Sequence, residues 1–281
     1  MKHDVHKVLR LFRGGTLVEL GARRVRRGDL LVEGERIREV LPAGARLPRK
    51  VGSPGSIEKI DCTGKIVMPG LVLGHTHLYS ALAVGMPPPA VAPRNFLEIL
   101  ERVWWKLDRA LDEETVALSA QVGAIAAARA GLTTLFDHHA SPSVTPGSLD
   151  LVAGAVEAVG LRGVLCYETS DRGGRDEARR GLDENDRFLR ALRASPRPLL
   201  RGMVGAHAGF TLGHDTTVAL ADLCVRHGVG IHVHVAEDAL DATHLVPARE
   251  APIVEWLDLY RLLGPRALLA HGVHVDDAGA A

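Results

Sequence analysis

The sequence predicts an α/β fold: a parallel (β/α)8 TIM-like barrel, truncated after about six strands, behind a small β-rich N-terminal domain. Three observations carry this. From Lys65 onward, short apolar runs alternate with stretches of helical period, the pattern of parallel strands joined by helical crossovers. Nine of the fourteen histidines stand where those runs end, and strand ends are where such barrels present reactive groups. Residues 1–65 read differently, as short alternating runs between glycine-bearing turns.

Taken in order, KVLRLF, GTLVEL and GDLLVEGERIREVLP predict antiparallel β-structure, and PAGARLPRKVGSPGSIEK predicts a Pro/Gly-rich loop. IVMPGLVLGHTH is the first barrel strand. EETVALSAQVGAIAAARA carries apolar residues at three- and four-residue intervals and predicts a helix, followed by LTTLFDHH as a strand. SLDLVAGAVEAVG is a helix with Ser148 as N-cap and Gly160 just past its end. LRGVLCYE, LLRGMVGAH, GIHVHVAE and ALLAHGVH are the later strands; ENDRFLRALRA, TVALADLCVRHG and APIVEWLDLYRLLG are the helices between them.

That makes six strands before the closing DDAGAA. A closed barrel has eight and runs to about 250 residues, so the expectation is a domain over 66–281 lacking strands seven and eight. Its raw strand edges predict poor solubility, or at best weak metal binding. The competing fold, an open sheet binding a nucleotide, lacks its phosphate cradle: no GxGxxG or GxxxxGK[ST] is present.

Composition narrows the partners. With 34 basic and 34 acidic residues the formal net charge is zero, which argues against a nucleic-acid partner needing a concentrated basic face. Cys62, Cys166 and Cys224 form no CxxC pair, so they read as buried free thiols in a reducing compartment. MKHDVHKVLRLFRGG has no signal-peptide core, and GAIAAARAGLTTLF is broken by Arg129 and Gly131. The expectation is a soluble cytoplasmic protein that meets a small-molecule substrate and no membrane; a homo-oligomer is compatible with it.

Neutral imidazole is the commonest side-chain metal ligand. Residues two apart in a strand share a face, so His75 and His77 can aim at one ion from one strand end. His234 and Glu237 supply a further ligand and a carboxylate just beyond it, placed to shuttle protons in metal-assisted hydrolysis. His207 and His271 stand at later strand ends as candidates to orient substrate or water. Taken singly, each of these has a blander reading as a hydrogen-bonded or solvated residue; the recurrence of one address favours chemistry. Asp137, His138 and His139 end the second strand without a specific role, and His274 reads as structural. Of the adjacent Trp104 and Trp105, one is a candidate wall over the site, against simple packing of the post-strand loop. The last lysine is Lys106, so no later strand can present a carboxylated lysine bridging two metals.

Read together, MPGLVLGHTH, GLTTLFDHH, HAGFT, HVHVAE and LLAHGVH resemble the amidohydrolase superfamily, in its mononuclear aminohydrolase/deaminase branch. More narrowly, DHHASP, LCYETSDRGG and LDENDRFL resemble the SsnA group of aminohydrolases. The resemblance implies a metal-dependent barrel with a β-sandwich built from both termini, residues 1–65 being its N-terminal part. It implies His75, His77 and His234 as metal ligands and Glu237 as the proton-shuttling glutamate. His271 would stand near the metal-bound water, and His207 would bind substrate. One divalent ion is implied, zinc first with iron as competitor. The family's remaining ligand, an aspartate on the eighth strand, has no counterpart here, since Asp276 and Asp277 follow the sixth strand. The implied reaction is hydrolysis of a non-peptide C–N bond, in a nitrogen heterocycle or amidine-like substrate, by a metal-bound hydroxide. The alternative is an inactive truncated fragment that binds metal or a partner without turnover.

Overall fold

Leucines drawn from three strands organise the N-terminal residues. In the computed structural model, which describes residues 8–47, 57–243 and 251–280, two compact units are present, residues 1–70 and 71–281. In the first, β1 (Leu9–Glu19), β2 (Arg24–Glu33), β3 (Arg36–Pro42) and β4 (Ile57–Asp61) lie in the order β3-β2-β1-β4, with β5 (Ile66–Val67) also on β1. Alternation puts Leu9, Leu11, Leu31 and Leu41 into one buried cluster.

Three expectations are corrected here. KVLRLF and GTLVEL form one strand, bulged between Phe12 and Gly15, because Asp29 pins the bulge: its carboxylate accepts from Gly14 N at 2.8 Å and Gly44 N at 3.1 Å. The sheet is mixed, since β4 and β5 run parallel to β1. The opening Ile66–Val67 of the predicted first barrel strand therefore belongs to this sheet. Residues 48–56 of the predicted Pro/Gly loop lie outside the described residues.

The second unit is built of parallel strands: β6 (Leu71–Thr76), β7 (Leu132–His139), β8 (Arg162–Tyr167), β9 (Leu200–Gly202), β10 (Val204–Ala208), β11 (Ile231–Val235) and β12 (Leu268–His271). They form two sheets, β6-β7-β8-β9 and β10-β11-β12. Helices separate them: α1 (Phe96–Ile99), a π-turn over Leu100–Trp104, α2 (Trp105–Ala110), α3 (Glu113–Arg129), α4 (Ser148–Val159), α5 (Arg175–Ala194), α6 (His214–His227), α7 (Ala239–Thr243) and α8 (Ile253–Leu259). The sheet curls. Flat, β6 and β11 would lie about 19 Å apart at four strand spacings, yet His75 of β6 and His232 of β11 are in hydrogen-bond contact at 2.8 Å. The strand ends thus converge on one interior.

Sequence and structure differ at four places in this unit. Helix α5 begins at Arg175 rather than Glu184; Asp176 and Glu177 in its first turn suit its N-terminal dipole. Ser148 is no cap: its hydroxyl has no partner, and the Glu184 carboxylate of α5 accepts from Gly147 N at 2.9 Å and Leu149 N at 3.0 Å instead. The predicted strand LLRGMVGAH breaks at Met203 into β9, on β8, and β10, on β11. Of the three thiols, Cys62 and Cys166 are buried and Cys224 is only half-buried.

One side chain bridges the break between the two sheets. Fully buried Asn185 of α5 accepts from Tyr167 N at 3.0 Å and Gly205 N at 3.2 Å, and donates to Tyr167 O at 2.8 Å. It replaces a missing rung between β8 and β10. Beyond it pairing resumes as Thr169 N→Gly205 O and His207 N→Thr169 O. Gly205 is required there, since a Cβ would strike the Tyr167 carbonyl. Among the described residues, no helix is long and apolar enough to cross a membrane.

Candidate metal centre

The strand ends deliver imidazoles whose proton positions the backbone dictates. His77 Nδ1 lies 2.7 Å from His138 O, and His234 Nδ1 lies 2.8 Å from His207 O. A carbonyl can only accept, so each Nδ1 carries the ring proton and each Nε2 presents a lone pair. Those two Nε2 atoms face each other at 3.2 Å, two acceptors with no proton between them. His75 bonds His232 Nε2 through Nδ1, leaving its own Nε2 buried without a partner. The rings of His75, His77 and His234 have centroids 4.7, 5.0 and 5.2 Å apart. The two unprotonated nitrogens of His77 and His234 stand beside the unpartnered His75 Nε2, and ligand atoms of His75, His234 and His271 lie within 4.8 Å of one another, a donor set that could hold a divalent ion.

Burial keeps these rings neutral, with neighbouring imidazoles adding to the effect. His75 is pushed down to about 3 and His77 to about 4, in both cases chiefly by burial. His234 falls well below the ordinary histidine range for the same reason, followed by repulsion from His138 and His77. Neutral imidazole is the ligating form, so this site offers its nitrogens free of proton competition near neutrality.

Around the triad lies a cavity of about 350 Å³, lined by the three histidines together with His207, Glu237 and His271. His271 Nε2 is 3.4 Å from Glu237 Oε2, and burial raises the Glu237 carboxyl above its usual value, opposed by His271. His207 donates through Nδ1 to Thr211 Oγ1 at 2.7 Å, because that hydroxyl spends its own proton on Ala208 O. His207 Nε2 is thereby an acceptor. Trp104 and Trp105 both line the cavity, whereas exposed His274 does not contribute to its wall.

The structure brings together every site residue singled out from the sequence, and adds several that were not. Glu168, one residue past β8, is buried with Oε2 3.3 Å from His138 Nδ1. Its other oxygen accepts from Arg172 at 2.7 Å. Arg172 also pairs with Asp108 and lies over the Trp105 ring at 5.3 Å. Glu168 stands at the same strand-end address as the histidines in LRGVLCYE, and that was its available signal. Nothing local marks Asp108 or Arg172, whose pairing spans 64 positions. Fully buried Asp137 accepts from Leu78 N at 2.7 Å and is raised to about 7 by burial. It holds the chain leaving His77 and is a scaffold residue.

Fold and site together define a class of protein. Residues 66–281 match the Amidohydrolase family, and the chain belongs to that family. Among curated relatives, the 5'-deoxyadenosine deaminase of Methanothermobacter thermautotrophicus is 29% identical over 268 residues, 95% of this chain and 58% of that protein. The 5-methylthioadenosine/S-adenosylhomocysteine deaminase of Symbiobacterium thermophilum is 31% identical over 256 residues, 89% of this chain and 54% of that one. The 8-oxoguanine deaminase of Pseudomonas aeruginosa is 29% identical over 262 residues, covering 89% and 56%. The chain thus spans a little over half the length of these relatives. Among solved structures, an adenosine deaminase from Xanthomonas campestris with bound zinc superposes with a TM-score of 0.78 at 20% identity, over 96% of this chain and 58% of that one. A guanine deaminase from C. acetobutylicum with bound guanine superposes with a TM-score of 0.76 at 17% identity, over 96% and 64%. These two likenesses establish the shared fold.

Proposed function

We propose that this chain carries the metal-binding and proton-transferring part of an aminohydrolase that removes an exocyclic amino group from a purine-like heterocycle. The single observation that carries the reading is the opposition of His77 Nε2 and His234 Nε2 beside the unpartnered His75 Nε2, at the wall of a cavity that also holds Glu237 and His271. The names of the curated relatives support the substrate class, all three being deaminases of nucleosides or a purine base.

His75, His77 and His234 would hold the ion, and zinc suits three neutral imidazoles with an open position. Bound there, it would supply Lewis acidity and a water of lowered pKa. Glu237 is the proton carrier: its raised pKa places it to take a proton and return it to a leaving nitrogen. His271, within reach of the Glu237 carboxylate, orients that group. His207 offers Nε2 to a ring N–H of the substrate, its tautomer set by Thr211. Trp105, whose ring centroid lies 6.0 Å from that of His207, excludes water from the same wall.

The test is ammonia release from adenine nucleosides and from guanine by the zinc-loaded chain. Glu237→Gln should keep its zinc and lose about 10²- to 10⁴-fold in turnover. His77→Ala and His234→Ala should lose zinc. Turnover undiminished in Glu237→Gln, or full zinc in both histidine variants, would overturn the reading.

A further inference from the structure

The histidine cluster contains a second convergence of lone pairs. His138 Nε2 lies 2.9 Å from Ala206 O and 3.3 Å from His232 O, so that nitrogen carries the ring proton. His138 Nδ1 is then a bare acceptor, buried without a hydrogen-bond partner. It faces the Glu168 carboxylate, also an acceptor, at 3.3 Å. One acceptor pair, His77 with His234, therefore stands beside another, His138 with Glu168. The four residues each offer a ligand atom within 4.8 Å of all the others. One cation relieves both at once.

We propose that His77, His138, Glu168 and His234 form a closed seat for a divalent ion, alternative to the open seat of His75, His77 and His234. The proposal rests on the preceding reading in its use of His77 and His234. Sharing those two ligands makes the seats mutually exclusive, so one ion per chain occupies one or the other. Three imidazoles and a carboxylate make a tetrahedral set suited to zinc. Every ligand is supported from behind: three rings donate to backbone carbonyls, and the free Glu168 oxygen is held by Arg172. Four protein ligands leave no position for water, so the closed seat retains the ion without presenting a hydrolytic water, whereas the open seat presents one.

The test is zinc affinity of the full chain by chelator competition, in His75→Ala and in that variant combined with Glu168→Gln or with His138→Gln. With two seats, His75→Ala keeps one zinc per chain, and each double variant binds at least tenfold more weakly than His75→Ala. Double variants that bind as His75→Ala does, or a His75→Ala chain holding no zinc, overturn the closed seat. Where a double variant fails to fold, X-ray absorption of zinc-loaded His75→Ala decides: three imidazoles and one carboxylate oxygen support the seat, two imidazoles overturn it. Loss of zinc in His77→Ala and His234→Ala, with indifferent double variants, sinks this proposal alone and leaves the aminohydrolase reading standing. Full zinc in those two single variants sinks both.

Discussion

Replacing Asn185 by leucine tests whether one side chain joins the two parallel sheets. The exchange keeps approximate volume and removes every polar atom. Tyr167 N and Gly205 N, both reached by Asn185 Oδ1 at 3.0 and 3.2 Å, would be stranded in a fully buried position. Each orphaned buried donor costs about 1–3 kcal/mol, so the pair predicts a loss of about 4 kcal/mol. Against the roughly 5–15 kcal/mol by which domains are stable, that is a large fraction. All three tryptophans, Trp104, Trp105 and Trp256, lie in the 71–281 unit, so tryptophan fluorescence during urea denaturation reports that unit alone. The midpoint should fall by about 1–2 M with the slope unchanged. Asn185→Asp, which keeps the acceptor but buries a charge among carbonyls, should not rescue it. A loss below about 1 kcal/mol in Asn185→Leu would refute the bridging role, and water or backbone adjustment would have to fill the gap.

Acid should destabilise the metal-free protein. His75 and His139 are lowered to about 3, and His77 and His207 to about 4, all chiefly by burial. Between those values and the unfolded 6.5 the unfolded chain binds more protons, so stability falls as pH drops from about 6.5 to 4, by up to about 1.4 kcal/mol per unit for each group. Asp137, raised to about 7, Asp108, raised to about 6, and Glu237, also raised, act in the opposite sense, but His232 and His234 are lowered as well, so three carboxyls oppose six histidines. A thermal midpoint that is flat between pH 4.5 and 6.5 would contradict this balance. His271 holds φ at 77°, a left-handed conformation that strains a side-chain-bearing residue by about 1 kcal/mol. His271→Gly should therefore raise the melting temperature by about 2–4 °C while lowering turnover; a destabilised variant would show that its contact with Glu237 outweighs the strain. Glu184→Ala, which strips the N-terminus of α4 of its carboxylate, should cost about 1–2 kcal/mol in the same urea assay, and an unchanged midpoint would deny the capping role.

Periodicity made the alternating elements legible from the sequence. LTTLFDHH and GIHVHVAE could only be strands of a buried parallel sheet, and the helix over EETVALSAQVGAIAAARA follows its apolar spacing to within a residue or two. The candidate ligands were legible for the same reason, because strand ends carry reactive groups in such folds and histidine is conspicuous there. What escaped was decided by partners distant in sequence. The cap on α4 comes from Glu184, not Ser148, and the break at Met203 is tolerated because Asn185 supplies the missing rung. Pattern reasoning also stopped at residue types. It placed His138 at a strand end but gave it no role, because a role depends on which ring nitrogen faces a carbonyl and which faces Glu168.

By itself, then, the order of residues determined an alternating parallel architecture and a recurring imidazole at its strand ends, since both follow from local periodicity and from where a strand must stop. Only the tertiary structure decided which lone pairs meet. Curling the sheet carries His75 and His232 from opposite ends of a five-strand span into contact, and each ring's tautomer is set by a backbone carbonyl on a neighbouring strand. Hydrogen-bond direction is a property of three-dimensional neighbours, and no one-dimensional pattern encodes it.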